Sequence, residues 1–269
     1  MKRTIIAAAL LTAVALTLTG CSAAGTGTSA SAGADDSLAA VQKSGTLTVG
    51  TEGTYRPFSY HEGGSGTLTG YDVDVVKAVA AHIGVKAKFE ETQWDGIFAG
   101  LTAHRFDVIA NQVSITPERT ATYAFSTPYT YSTGVIVVKK SNTSITSFAT
   151  LSGKSTAQSL TSNWFTLAKQ SGAKVQSVEG WAQSVALVEQ GRVDATVNDT
   201  LTYLDYKKQT GAAGLKIAAE TKDKSESAFA FAKGSKTLAA AVDKALDELR
   251  ASGELAKISE KYFGADVSK

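Results

Sequence analysis

One stretch of the chain joins an apolar run directly to the start of a helix. Residues 106–113 are rich in β-branched and other apolar side chains, and the run is short enough for a buried parallel strand. Just after it, Thr116 is suited to cap a helix, and Pro117 fits the first helical position, where its missing N–H costs nothing. A strand followed at once by a helix predicts an α/β fold.

The same junction is a candidate anion site. The backbone N–H groups of a helix start have no partner within the helix, and Arg119, one turn in, offers two parallel donors suited to a carboxylate. Ser114 and Thr116 are therefore candidate binding residues together with Arg119. The alternative is that Ser114 and Thr116 only cap the helix, while Arg119 pairs with an acid at the surface.

The N-terminal residues have the pattern of an export signal. Lys2 and Arg3 precede an apolar run that is too short for a lasting transmembrane helix, so residues 1–20 are predicted to be a signal peptide. Cys21, the single cysteine, lies at the cleavage position, as in the lipobox of bacterial lipoproteins, and is predicted to be lipidated. A chance cysteine is the alternative. Residues 21–36 are small and polar, and are expected to form a flexible tether outside the cell membrane.

Composition excludes several classes of function. Without the two basic residues of the signal, 25 Lys and Arg stand against 25 Asp and Glu, so the exported chain is formally neutral and nucleic acid is not expected as a partner. His61, His82 and His104 show no metal-ligand spacing, and the sequence has no nucleophile elbow or phosphate loop. We therefore expect no metal, no cofactor and no catalytic residues.

The order of strand, polar turn and helix occurs twice along the chain. Strands are predicted at 46–50, 85–90, 106–113, 134–139, 154–158, 174–178, 193–198 and 227–233, and helices at 38–42, 70–84, 94–101, 164–171, 181–190 and 237–251. The C-terminal strand and helix are expected to complete the first half. This pattern predicts a two-lobed fold, with residues 37–133 and 226–269 as lobe 1, residues 134–225 as lobe 2, and two crossovers beside a ligand cleft.

An aromatic turn, residues 51–60, follows the first predicted strand. Ligands of open α/β sheets bind outside the C-terminal ends of the strands, so Tyr55 and Phe58 are candidate walls of the cleft. Ordinary packing under a loop is the alternative for both. Glu52 could meet a cation or cap the turn, and Trp94, at a helix start, could face a ligand or cover the core.

Several motifs together resemble one family. The segments 70–75 (Gly-Tyr-Asp-Val-Asp-Val), 114–119 (Ser-Ile-Thr-Pro-Glu-Arg) and 193–199 (Val-Asp-Ala-Thr-Val-Asn-Asp) are similar to signatures of the extracytoplasmic solute-binding proteins of polar amino-acid ABC importers. The resemblance covers residues 44–269. The resemblance is closer still to the L-cystine-binding members, and it rests there on segments 52–59, 94–96, 111–119, 125–130 and 260–269. It implies a periplasmic-binding-protein-like (type II) fold.

The resemblance also implies which residues hold the ligand. Arg119 would bind the α-carboxylate with help from the backbone at Ser114 and from Thr161, and Asp199 would take the α-ammonium group from the other lobe. The turn at 159–163 departs from the family, because many members have a Gly-Thr pair there.

Four further residues would contact the ligand side chain, according to the same resemblance. Tyr55 and Trp94 would enclose it, Gln112 would contribute from its backbone or amide, and Glu52 would meet a distal charged group.

The implied function is transport without a chemical step. The ligand, L-cystine above other polar amino acids, would bridge the lobes of a monomer, and the closed form would dock on an ABC permease. A basic amino acid such as arginine or histidine is the alternative ligand. A dehydratase-type enzyme shares the fold and stays open as a less favoured reading. A receptor sensing domain is disfavoured because no apolar run follows Phe263.

Overall fold

Two large β-sheets organise the part of the chain that the computed structural model describes, residues 35–269. The strands are β1 (Thr46–Thr51), β2 (Thr54–Tyr55), β3 (Ser59–His61), β4 (Leu68–Thr69), β5 (Lys86–Glu91), β6 (Val108–Ser114), β7 (Tyr123–Phe125), β8 (Thr130–Ser132), β9 (Gly134–Lys139), β10 (Ser155–Gln158), β11 (Lys174–Ser177), β12 (Ala195–Asp199), β13 (Leu215–Glu220) and β14 (Ser225–Ala232). The predicted signal peptide, the lipidation of Cys21 and nearly all of the tether lie outside the described residues.

Nine α-helices flank the sheets within residues 35–269. They are α1 (Ser37–Ser44), α2 (Tyr71–His82), α3 (Trp94–Thr102), α4 (Pro117–Thr122), α5 (Asn163–Gln170), α6 (Gly180–Gln190), α7 (Thr200–Thr210), α8 (Lys236–Ala251) and α9 (Glu254–Phe263). None of the helices in this range is long and apolar enough to cross a membrane.

Each large sheet pairs parallel strands with antiparallel ones. The first has the order β5-β1-β6-β14-β7, with β8 paired to β14, and the second has the order β11-β10-β12-β9-β13. In the first sheet β1 is parallel to both β5 and β6, and in the second β10 is parallel to both β11 and β12. The two-lobed α/β fold predicted from the sequence is confirmed.

The chain passes between the two sheets twice. The first passage runs from β8 to β9 through Thr133, and the second runs from β13 to β14 through residues 221–224. The two passages lie side by side, because β8 and β14 pair antiparallel with Ser132 opposite Ser225. We propose the sequence-derived limits, 37–133 with 226–269 and 134–225, as the boundaries of lobe 1 and lobe 2, and use these names below.

An aspartate just before a strand makes the same contacts in both lobes. Asp107, before β6, accepts hydrogen bonds from the backbone N–H and the hydroxyl of Thr48. Asp194, before β12, accepts the same two bonds from Ser155. Each aspartate thus ties its strand to the neighbouring strand, and the two lobes share this local design.

The predicted strands and helices agree with the structure to within two residues at each end. Helix α7, strands β7, β8 and β13, and the small sheet β2-β3-β4 were not predicted. Helix α7 follows Asp199, where only a turn was expected, because its sequence mixes β-branched, aromatic and charged residues without a clear apolar stripe.

Candidate functional site

The end of β6 is shaped by a buried carboxylate. Gln112 has a φ of 50°, in the left-handed region that residues with a side chain seldom adopt. Its backbone N–H and its side-chain Nε2 donate to the two oxygens of Asp72, at 2.7 and 2.6 Å. Asp72 is completely buried, and burial raises its pKa to about 7. Both of its oxygens accept from Gln112, so Asp72 holds the backbone and the side-chain amide of that residue in place.

Arg119 is a buried cation beside this strand end. Thr116 caps α4 by accepting from the backbone N–H of Arg119, as predicted. The guanidinium donates to the carbonyl oxygen of Ser114 at 2.9 Å and lies about 5 Å from the ring centroids of Trp94 and Phe98. No carboxylate within residues 35–269 forms an ion pair with Arg119, and burial lowers its pKa to about 10.

Asp199 presents the opposite charge from lobe 2. Its side chain caps α7 by accepting from the backbone N–H of Leu201 at 2.8 Å, and it also accepts from the hydroxyl of Ser132 at 2.7 Å. It is 5% exposed and has no cationic partner in the described part of the chain. Burial raises its pKa to about 6. A buried acid without a cation costs free energy that an ammonium ligand would recover.

Glu52 is a third carboxylate at the cleft. It follows β1, and Asn111 on β6 both accepts from its backbone N–H and donates to its carboxylate. Burial raises the pKa of Glu52 to about 7, against the effect of the Asn111 hydrogen bond, and the nearby charges of Glu179 and Asp95 add to the rise.

A narrow cavity lies between the lobes. Of the predicted site residues, Glu52, Tyr55, Trp94 and Gln112 line it. Tyr55 also crosses the cleft, because its hydroxyl is 3.0 Å from both Asn198 Oδ1 and Thr202 Oγ1 in lobe 2. The other lining residues are Asn111, Gln158, Ser159, Ser162, Asn163, Trp164, Gly180, Trp181, Ser184, Val197 and Asn198.

A neighbouring groove contains the predicted residues Thr116, Arg119 and Thr161. Arg119 nevertheless adjoins the cavity through Trp94, whose ring lies against the guanidinium. Asp199 does not line the cavity either, but its charge is close enough to Tyr55, which does, to add to the rise that burial causes in the pKa of the Tyr55 hydroxyl. The two uncompensated charges therefore belong to opposite lobes, each near a residue that lines the cavity.

Phe58 does not form a wall of the cavity. Its side chain is fully buried in the core of lobe 1, with its ring 5.0 Å from that of Tyr55 and 5.9 Å from that of Phe263. The alternative considered from the sequence, packing under the loop, describes it. Phe58 packs against the ring of Tyr55 from the core side, so a substitution of Phe58 would affect a ligand only by moving Tyr55.

Thr161 uses its polar groups for contacts between the lobes. Its backbone N–H and its hydroxyl both donate to Asp95, and its carbonyl oxygen accepts from Arg119 at 3.2 Å. Within lobe 1, the ring of Trp94 lies against the same guanidinium. Thr161 and Trp94 therefore both contact the candidate carboxylate-binding arginine directly.

Gln158 and Asn198 are cavity residues that the sequence reasoning missed. Gln158 ends β10, and Asn198 lies next to the end of β12. Ligands bind at the C-terminal ends of parallel strands, and this rule, applied above only to the first strand of lobe 1, also indicates Gln158 and Asn198 in lobe 2. No cluster of three or more His, Cys, Asp or Glu side chains within 35–269 is arranged to hold a metal ion.

The chain is similar to bacterial solute-binding proteins in both sequence and structure. Residues 47–265 match the model for bacterial extracellular solute-binding proteins, family 3. The L-cystine-binding protein TcyA of Bacillus subtilis is 48% identical over 270 residues, covering 100% of both chains. The L-cystine solute receptor of Neisseria gonorrhoeae, in its unliganded open conformation, is 48% identical with a TM-score of 0.58, over 86% of this chain and 98% of the receptor. An ancestral arginine-binding protein bound to arginine is 39% identical with a TM-score of 0.76, over 82% of this chain and 99% of the other.

The lobes contact each other directly across the cleft. This chain superposes less well on the open receptor than on the arginine-bound protein, although its sequence is closer to the receptor. The direct hydrogen bonds from Tyr55 to Asn198 and from Thr161 to Asp95 likewise join the lobes here. The lobes are therefore in a closed arrangement.

Proposed function

The chain belongs to the bacterial extracellular solute-binding proteins of family 3, and we propose on this basis that it binds L-cystine between its lobes and delivers it to an ABC permease. It is an amino-acid-binding component of an ABC transporter and works outside the cytoplasm. The family description and the names of the relatives are those of solute-binding proteins and not of enzymes, so the dehydratase alternative is set aside.

The observation that carries the proposal is the pair of uncompensated buried charges, Arg119 on lobe 1 and Asp199 on lobe 2. An α-amino acid carries one carboxylate and one ammonium group, and leaves water at acceptable cost only if both are paired. A ligand held by Arg119 and Asp199 touches both lobes. Ligand binding is thereby coupled to closure of the two lobes, and the permease can recognise the closed form.

Cystine is favoured over other amino acids by two observations. The full-length similarity to TcyA supports it, and Glu52 adds a further buried carboxylate that an amino acid with one ammonium group leaves without a partner. Arginine is the second candidate, because the arginine-bound ancestral protein superposes well and a guanidinium could also reach Glu52.

The remaining parts of the proposal concern location and partners. Lipidation of Cys21 would attach the chain to the outer face of the cell membrane, and a second acyl chain would make that attachment stable. We propose that the protein acts as a monomer and that its partner is the membrane subunit of the permease.

Calorimetric titration of the domain from Asp35 onward tests the ligand assignment. The protein is unfolded and refolded first to remove any carried-over ligand, and is then titrated with L-cystine, L-arginine, L-histidine and L-glutamine. We expect the tightest binding for L-cystine. Tighter binding of L-arginine would replace the ligand and keep the transport role, whereas no binding of any amino acid would contradict the role itself.

A further inference from the structure

Gln158 presents an unused hydrogen-bond donor to the cavity. Its side chain is 3% exposed, and its Oε1 accepts from the hydroxyl of Thr156 at 3.1 Å. Its Nε2 has no hydrogen-bond partner within residues 35–269. Because Thr156 engages the oxygen of the amide, the nitrogen is the end that a ligand can meet.

Trp94 presents a second donor to the same cavity. The residue is 6% exposed, and its indole Nε1 also lacks a hydrogen-bond partner in the described part of the chain. Buried donors without partners are rare in folded proteins, since each forfeits its bonds to water. Two of them on one cavity, from opposite lobes, indicate a ligand group that accepts hydrogen bonds.

The acceptors of the cavity are distinct from these donors. Glu52 offers a carboxylate, and Gln112 offers Oε1, which has no partner among the described residues. A guanidinium or a lysine ammonium could satisfy these acceptors, but such groups only donate, and would leave Gln158 and Trp94 unpaired. A group with both an ammonium and a carboxylate satisfies both kinds of partner.

We propose that Gln158 Nε2 and Trp94 Nε1 bind the second carboxylate of a ligand with two amino-acid heads, while Glu52 binds its second ammonium group. This inference rests on the proposed function, and adds the residues that distinguish a two-headed ligand from one with a distal cation. The first head occupies Arg119 and Asp199. Gln158 and Trp94 are then the specificity-determining residues of the cleft.

Substitution of Gln158 separates this role from general support of the cleft. Gln158→Met keeps the size of the side chain and removes the donor, and should lower the affinity for L-cystine by about 10- to 100-fold, as expected for a lost hydrogen bond to a charged group. Binding of the one-headed thioether S-methyl-L-cysteine should change less than about threefold. Gln176→Met, on the exposed strand β11 next to β10, is the matched control and should change neither.

A second variant guards against a simple packing defect. Gln158→Glu keeps an oxygen for the Thr156 hydroxyl but replaces the donor by an acceptor, so it should weaken L-cystine binding and strengthen L-arginine binding. Thermal melting of each unliganded variant checks that the fold is intact.

The outcomes separate this inference from the proposed function. Equal loss for L-cystine and S-methyl-L-cysteine, or no loss for L-cystine, would overturn the role of Gln158 while the transport role stands. A wild-type protein that binds no amino acid would overturn both.

Discussion

Asp95 on lobe 1 accepts two hydrogen bonds from Thr161 on lobe 2, from the backbone N–H at 3.0 Å and from the hydroxyl at 2.8 Å. The pair closes one side of the cleft, and the carbonyl oxygen of Thr161 also accepts from Arg119. The carboxylate of Asp95 therefore accepts from Thr161, the residue that the family resemblance assigns to the ligand carboxylate. Asp95 thus acts as part of the closed state.

Replacing Asp95 by Ala should weaken the binding of every amino-acid ligand about fivefold. The closed state loses two hydrogen bonds at an exposed position, which corresponds to about 1 kcal/mol. Calorimetry with L-cystine and L-arginine measures the change, and small-angle X-ray scattering of the unliganded protein should show a larger radius of gyration.

The matched control for Asp95 is Asp107→Ala. Asp107 accepts the same two bonds from Thr48, but inside lobe 1, so its loss should lower the melting temperature and leave the affinity unchanged. Tighter binding by Asp95→Ala would instead mean that Thr161 is released to hold the ligand.

Replacing Arg119 by Ala should cost about 2–5 kcal/mol of binding free energy, because the ligand carboxylate is left buried without a cation. The melting temperature of the unliganded protein should change little, since the buried guanidinium has no ion pair within residues 35–269. Arg56→Ala is a useful control, because Arg56 also crosses the cleft, to Asp205 at 3.4 Å, but its side chain is 40% exposed. Arg56 keeps much of its hydration, so its pair with Asp205 should contribute about 1 kcal/mol or less, and a comparable loss for Arg56→Ala would contradict the assignment.

The two acidic residues of the cleft should differ in ligand dependence. Asp199→Asn should weaken all amino acids, since every one carries an α-ammonium group. Glu52→Gln should weaken L-cystine and L-arginine but leave L-glutamine nearly unchanged, because only the first two carry a distal positive charge. Titration of both variants with the three ligands measures this, and a uniform loss for Glu52→Gln would show that Glu52 is misplaced.

Ligand affinity should fall as the pH is lowered from about 8 to about 6. Burial raises the pKa of Glu52 to about 7 and that of Asp199 to about 6 in the unliganded protein, so both take up protons in this range. An ammonium group favours the carboxylate forms, and therefore binding releases protons. Titrations in buffers of different ionisation enthalpy count the released protons, and Glu52→Gln should remove the part near pH 7. A flat pH profile for the wild-type protein would be inconsistent with carboxylates that bind the ligand ammonium.

The sequence alone determined the α/β class and the two-lobed pattern. Short-range rules for strands and helix caps were sufficient to single out Arg119, whereas Asp199 was indicated only by the resemblance to the family, because a strand end by itself does not mark a ligand-binding acid. The same rules missed α7, because its helical character depends on packing and on the cap at Asp199 more than on a periodic apolar stripe.

Only the tertiary structure decided what each side chain of the cleft touches. Phe58 and Tyr55 share one aromatic turn, yet Phe58 lies in the core and Tyr55 reaches Asn198, 143 residues away in the chain. The amide of Gln158 becomes a candidate ligand donor only because Thr156 engages its oxygen and the lobes enclose its nitrogen. Such contacts depend on how two lobes meet across a hinge, and no local pattern of residues encodes that distance.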